Sequence, residues 1–203
     1  FSSFRGMTHM LVDYKSILKM ANLKSVSFDP NTFNILTVAR LNYKSKRYDI
    51  ALSACKILIE KGVNFHWYAL GEGNYQQEME KYIQENQLAN HFTLLGTTVN
   101  PYPYFKAADI YVQTSEFESY GISIAEARLL NVPVVTTRYD SVYVQMIHEK
   151  NGLVVDIDAN AVADGIERMI NDKVLYESVK SYLKSEEKEN KESIQRFYKL
   201  IYN

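Results

Sequence analysis

The sequence predicts an α/β fold, a doubly wound parallel sheet of about six strands, from three observations. From Phe33 onward, short apolar runs rich in β-branched residues alternate with segments of helical period. Six such runs occur, and strand–helix alternation implies right-handed crossovers between parallel strands. The chain has 203 residues, 46% hydrophobic and 23% charged, which is enough to bury the core of one large α/β domain and too ordinary a balance for disorder or a coiled coil.

In chain order, residues 1–30 carry one helical candidate, Asp13 to Ala21, with Tyr14, Ile17 and Leu18 on one face, and then a polar passage ending at Asp29-Pro30. They read as a linker entering a domain that spans residues 31–203. Phe33 to Ala39 is the first strand, followed by a basic loop from Arg40 to Arg47. Ile50, Ala51, Ala54, Ile57 and Leu58 then keep a period of 3.6 residues until Gly62, a residue type favoured just past helix ends. The unit recurs as a strand from Phe65 to Leu70, a turn Gly71-Glu72-Gly73 and a helix bearing Tyr75, Met79, Tyr82 and Ile83. A third strand, Phe92 to Leu95, stops at Gly96, and residues 97–107 form a proline-bearing connection with room for one helical turn.

Residues 108–137 organise the rest. An apolar run at Ile110 to Val112 gives way to a polar loop, a helix from Gly121 to Leu130, and a second run from Val132 to Val135. Glu118 lies in the loop and Glu126 in the helix. By spacing, Ile122, Ala125 and Leu129 mark the face turned to the sheet, and Glu126 lies beside them. A carboxylate there either reaches solvent at the edge of the stripe or needs a partner that the local sequence does not supply. Beyond it come a short helix candidate from Ser141 to Glu149, a strand Leu153 to Val155, and a helix with Val162, Ile166, Met169 and Ile170 on one face. Two more amphipathic helices, near Val174 to Leu183 and Ile194 to Ile201, flank a mixed charge run from Lys184 to Glu192 that reads as a solvated face or a joint.

In such a sheet ligands bind beyond the carboxyl ends of the strands, where strand order reverses. The Arg40 loop, Gly71 to Gly73, Gly96 and the Glu118 to Gly121 loop all fall on that edge. The helix opening near Gly121 aims free N–H groups at it, a setting that favours an anion. Arg40 and Lys46 add a planar fork and a mobile ammonium suited to a diphosphate.

Composition excludes other classes. With 23 basic and 24 acidic residues the net charge is −1, which argues against bulk nucleic-acid binding. The one cysteine, Cys55, sits in a helical apolar pattern and reads as core, which fits a reducing, cytoplasmic setting. No run approaches the length of a membrane span and no signal-peptide pattern is present, leaving peripheral attachment open. Asp156-Ile157-Asp158 imitates a metal-binding DxD but lies between a strand and a helix, where capping is the better reading. His9, His66, His91 and His148 have no ligand spacing, and neither Ser115 nor Ser123 lies in a nucleophile elbow.

Taken together, Glu118-Ser119-Tyr120-Gly121, Ala125-Glu126-Ala127, Pro133-Val134-Val135, Val38-Ala39-Arg40-Leu41 with Lys46, and Asn151-Gly152-Leu153-Val154-Val155 resemble the motifs of the C-terminal, donor nucleotide-binding domain of group 1, or family-4, retaining glycosyltransferases of GT-B fold. The resemblance covers roughly residues 33–172 and implies a Rossmann-like half of a GT-B fold. It further implies that Arg40 and Lys46 hold the diphosphate of a sugar nucleotide, UDP- or GDP-linked, without a metal. Backbone N–H groups of Ser119, Tyr120, Gly121 and Ile122 would meet the distal phosphate or sugar. Glu126 would bond the ribose, Glu118 would be the catalytic contact to the donor sugar, and backbone near Gly73 and Gly96 would hold the base. Ser119 and Arg47 stand where the family usually has glycine, which bears on donor identity. A glycan or lipid-linked acceptor in polysaccharide biosynthesis would be held by an N-terminal domain, which the opening at Phe1 rather than Met leads us to expect before this chain. Alone, the chain is expected to be an inactive monomer. A non-catalytic nucleotide-binding module and a sugar-nucleotide epimerase of similar fold are the alternatives.

Overall fold

The computed structural model describes residues 14–186. Every expected run is a strand: β1 Phe33–Val38, β2 Phe65–Leu70, β3 Phe92–Gly96, β4 Ile110–Gln113, β5 Val134–Thr137 and β6 Gly152–Val155. β4 and β5 are buried at all positions and β1 at its four central ones, so these strands read as continuous apolar segments because helices cover both their faces. The helices are α1 Tyr14–Ala21, α2 Tyr43–Lys46, α3 Tyr48–Glu60, α4 Gln76–Glu85, α5 Tyr102–Ala107, α6 Ile122–Leu129, α7 Ala159–Asn171 and α8, residues 173–186.

All pairings are parallel, in the order β3-β2-β1-β4-β5-β6. The order reverses at β1, which pairs with β2 on one side and with β4 on the other. Alternation of side chains along each strand then builds two cores. Ile35, Val112, Val135 and Leu153 face α3, α4, α7 and α8, whereas Leu36, Tyr111, Val134 and Val154 face α1, α5 and α6. Trp67 Nε1 donates to Thr37 Oγ1 at 3.0 Å, and that hydroxyl donates to Val112 O at 2.7 Å, so the buried indole N–H and threonine hydroxyl between β2, β1 and β4 are both satisfied. Cys55 is buried in the first core, and burial pushes its thiol up to about 12, which removes it as a nucleophile.

Three sequence expectations need amendment. Residues 1–30 read as a linker, yet in their described part Ile17 and Ala21 of α1 are buried against α5, and Phe28 stacks on Tyr68 with centroids 3.9 Å apart. Residues 1–13 lie outside the described residues, as do the second tail helix and the end of the charge run. The helix expected from Ser141 to Glu149 is only a 3-10 turn, Val142–Val144. Its backbone is claimed by side chains instead: Asn151 Oδ1 accepts from Ile147 N at 2.9 Å and Asn151 Nδ2 donates to Gln145 O at 2.9 Å. The start of the charge run continues α8, and Glu186 there pairs with Arg128 of α6.

Candidate functional site

Beyond the carboxyl end of β1, the backbone of Ala39, Arg40 and Leu41 is stitched to the loop after β2. Ala39 N donates to Leu70 O at 3.1 Å, Leu41 N to Glu72 O at 3.0 Å, and Tyr75 N to Leu41 O at 3.2 Å. A Cβ on Gly71 would lie 2.0 Å from Ala39 O, and one on Gly73 would lie 2.1 Å from Leu41 O, so only glycine lets the two loops touch. Gly71 N donates to Gly96 O at 2.7 Å, which adds the end of β3 to the same ledge. Arg40 projects exposed from this ledge, and no acid among the described residues pairs with it.

The next loop holds Lys46. Asn42 caps α2 by accepting from Lys44 N at 2.8 Å and Ser45 N at 3.3 Å. Arg47 joins α2 to α3 in a left-handed conformation, φ 47° and ψ 51°, which explains the preference for glycine at this position in the resembled family. Its guanidinium forks onto Asp49 and reaches Glu116 Oε2 at 2.7 Å. Two further bonds tie this segment to the loop after β4: Glu116 N donates to Ser45 O at 3.0 Å and Thr114 Oγ1 to Lys46 O at 2.8 Å. Lys46 Nζ donates to Glu118 Oε1, an oxygen that also accepts from Ser115 Oγ at 2.7 Å. The cation expected at the diphosphate and the carboxylate expected at the sugar are therefore bonded to each other.

The loop from Glu118 to Gly121 is held from below by the β5–β6 connection. Ser141 Oγ donates to Glu118 O at 2.7 Å, and Gln145 Nε2 donates to Tyr120 O and, at 3.0 Å, to Gly121 O. Gly121 has φ 76°, and no side chain caps the first turn of α6 behind it, so the backbone donors there are open to an anion. Ser119, Tyr120 and Ile122 are exposed around them.

On α6 the buried face is Ile124 and Ala127, whereas Ile122 is 53% exposed, so the expected stripe of Ile122, Ala125 and Leu129 is displaced. Ser123 sets the phase by donating to Val38 O at 2.9 Å, the last residue of β1. Glu126, three residues on, turns half-buried toward α5 and accepts from Tyr102 OH at 3.2 Å. Burial pushes the Glu126 carboxyl above its ordinary range and the Tyr102 bond opposes this. Burial, followed by the charge of Glu126, pushes the Tyr102 hydroxyl to about 12.

All ten sequence-derived site residues thus lie on one edge. Sequence reading missed Ser115, which bonds Glu118 three residues on, and Tyr102, Ser141 and Gln145, whose roles rest on contacts with residues distant in the chain. The last two fall in the segment misread as a helix. Asp158 caps α7, accepting from Asn160 N at 2.8 Å and Ala161 N at 3.1 Å, and Asp156 pairs with Arg138 at 3.4 Å. His66 bonds Thr93 at 2.8 Å and His148 accepts from Val154 N at 3.0 Å, both away from the site.

The model of the family described as glycosyl transferases group 1 matches residues 20–186. Poly(ribitol-phosphate) alpha-N-acetylglucosaminyltransferase of Staphylococcus aureus (strain COL) is 28% identical over 173 residues, 80% of this chain and 34% of its own length. The putative colanic acid biosynthesis glycosyltransferase WcaL of Escherichia coli (strain K12) is 31% identical over 140 residues, 64% of this chain and 34% of its own. Among solved structures, a variant of S. aureus TarM in complex with Fondaparinux, alpha-GlcNAc-glycerol and UDP superposes with a TM-score of 0.73 at 24% identity, over 89% of this chain and 37% of TarM. Anabaena HepE in complex with UDP-glucose gives 0.71 at 20% identity, over 89% and 48%. These two likenesses establish the fold. The chain spans about a third of the length of the curated relatives it matches.

Proposed function

Because the chain belongs to the group 1 glycosyl transferases, we propose that it is the donor domain of a retaining glycosyltransferase and binds a nucleoside-diphosphate sugar. The observation that carries this reading is convergence. Arg40, Lys46, Glu118, Glu126 and the uncapped start of α6 come from different segments and meet where the strand order reverses.

Arg40 and Lys46 hold the diphosphate, with the N–H groups from Ser119 to Ile122 on the distal phosphate or sugar. These cations supply the charge that a metal would otherwise bring. The ledge of Gly73 and Gly96 takes the base, and Glu126 the ribose. Lys46 is paired with Glu118, so a phosphate at this site competes for the ammonium and frees the carboxylate for the donor sugar. Complexes of TarM and HepE contain UDP, which makes a uridine diphosphate sugar the first donor to test and a guanosine one the second. The acceptor is a glycan or lipid-linked glycan held by a second domain, in keeping with relatives named for poly(ribitol-phosphate) and colanic acid.

The test is a product assay on the full-length protein. Free nucleoside diphosphate released only when an acceptor is present supports transfer. Binding without release in any mixture would indicate a non-catalytic module, and turnover of the sugar nucleotide without acceptor would indicate an epimerase.

A further inference from the structure

On the donor-site reading above, we infer that Tyr102 is a positioning residue for the nucleotide: its hydroxyl holds one oxygen of Glu126 and leaves the other to accept from the ribose hydroxyls. Tyr102 stands on α5, which packs beside α6 in the second core, and is 6% exposed. The start of α5 is fixed from two sides. Asn100 Oδ1 accepts from Tyr102 N at 3.3 Å, and Asn100 Nδ2 donates to Met20 O of α1 at 2.8 Å. The phenol therefore approaches Glu126 from a fixed position, and its hydroxyl donates to Oε1 at 3.2 Å.

The carboxylate is otherwise under-supplied. No cation pairs with Glu126 among the described residues, although it is half-buried. A carboxylate offers about four acceptor positions, so one bond from Tyr102 leaves capacity for two vicinal hydroxyls. The last torsion of a glutamate is broad, and a donor fixed on the neighbouring helix restricts the plane of the carboxylate. The rest of the tyrosine ring packs with Phe105, Ile124 and Ala127, a task that phenylalanine would perform equally well. Only the hydroxyl is specific to Glu126.

Tyr102→Phe separates these roles. The full chain and its variants are titrated calorimetrically with uridine and guanosine diphosphates and with their 2′-deoxy analogues. The expected result is a loss of about three- to tenfold in affinity for the preferred ribonucleotide, the equivalent of one hydrogen bond, with a smaller loss for the deoxy analogue, which keeps only one of the two vicinal hydroxyls. In a Glu126→Gln background the same substitution should then change little, because the group it positions no longer acts. Equal losses for ribose and deoxyribose ligands, or an unaltered preference for ribose, would overturn the positioning role and leave the donor site standing. Wild-type protein that binds none of the four nucleotides would overturn the donor-site reading, and this inference with it.

Discussion

At Glu126 burial works against charge. Its carboxyl holds a proton more tightly in the folded chain than in the unfolded one, so folding is favoured below the ordinary carboxylate value of 4.5 and that contribution is lost as pH rises through the elevated folded value. At neutral pH the ionised form costs stability, offset in part by Tyr102. Glu126→Gln should therefore raise the thermal midpoint at neutral pH, with the gain vanishing below the ordinary value, while weakening ribonucleotide binding. Thermal melts at neutral pH and below the ordinary carboxylate value check the first part, and a lowered midpoint on substitution at neutral pH would refute it. Residue types and spacing marked Arg40, Lys46 and Glu118 in the sequence as charged groups in the loops beyond strand ends, and Glu126 as a carboxylate beside the apolar stripe of its helix. The Lys46–Glu118 bond was not legible, since it joins positions 72 residues apart. Nor was Tyr102, an aromatic among sixteen tyrosines with no local pattern to single it out.

Between elements, the site depends on loops that touch through backbone. Leu41 is bonded both to Glu72 and to Tyr75, and Gly73 lies directly against the backbone of Leu41. Gly73→Ala should cost about 1–3 kcal/mol of stability by overpacking, and it should weaken diphosphate binding as well because Arg40 rides on the displaced segment. Chemical denaturation and nucleotide titration measure the two effects. Unchanged diphosphate affinity in a folded variant would detach Arg40 from the ledge. The glycines were readable as a turn, but their closeness to Ala39 and Leu41 was not, because it depends on β1 and β2 being neighbours. The misread helix near Ser141 has a similar cause. Its sequence is compatible with a helix, and Asn151, at the far end of the connection, takes the backbone groups that a helix would use. The phase of α6 likewise follows from a tertiary bond, Ser123 to Val38, rather than from its own apolar residues.

For the whole molecule, alternation of apolar runs and helical periods revealed a parallel sheet of six strands but not their order. Strand order decides where the crevice opens, between β1 and β4, and only the fold supplies it. On the proposed reading that edge is a surface for the donor, whereas transfer also needs an acceptor held in near-attack geometry and water excluded. We therefore expect the 203-residue chain by itself to bind a nucleoside diphosphate and transfer no sugar. Calorimetric titration of this chain with uridine, guanosine and adenosine diphosphates beside their nucleosides, repeated with Arg40→Ala and Lys46→Ala, tests the donor site most directly. One diphosphate should bind well above its nucleoside, and each substitution should remove about 1.5–3 kcal/mol from diphosphate binding while leaving the nucleoside untouched. Failure to bind any diphosphate, or diphosphate affinity indifferent to both substitutions, would contradict the assignment.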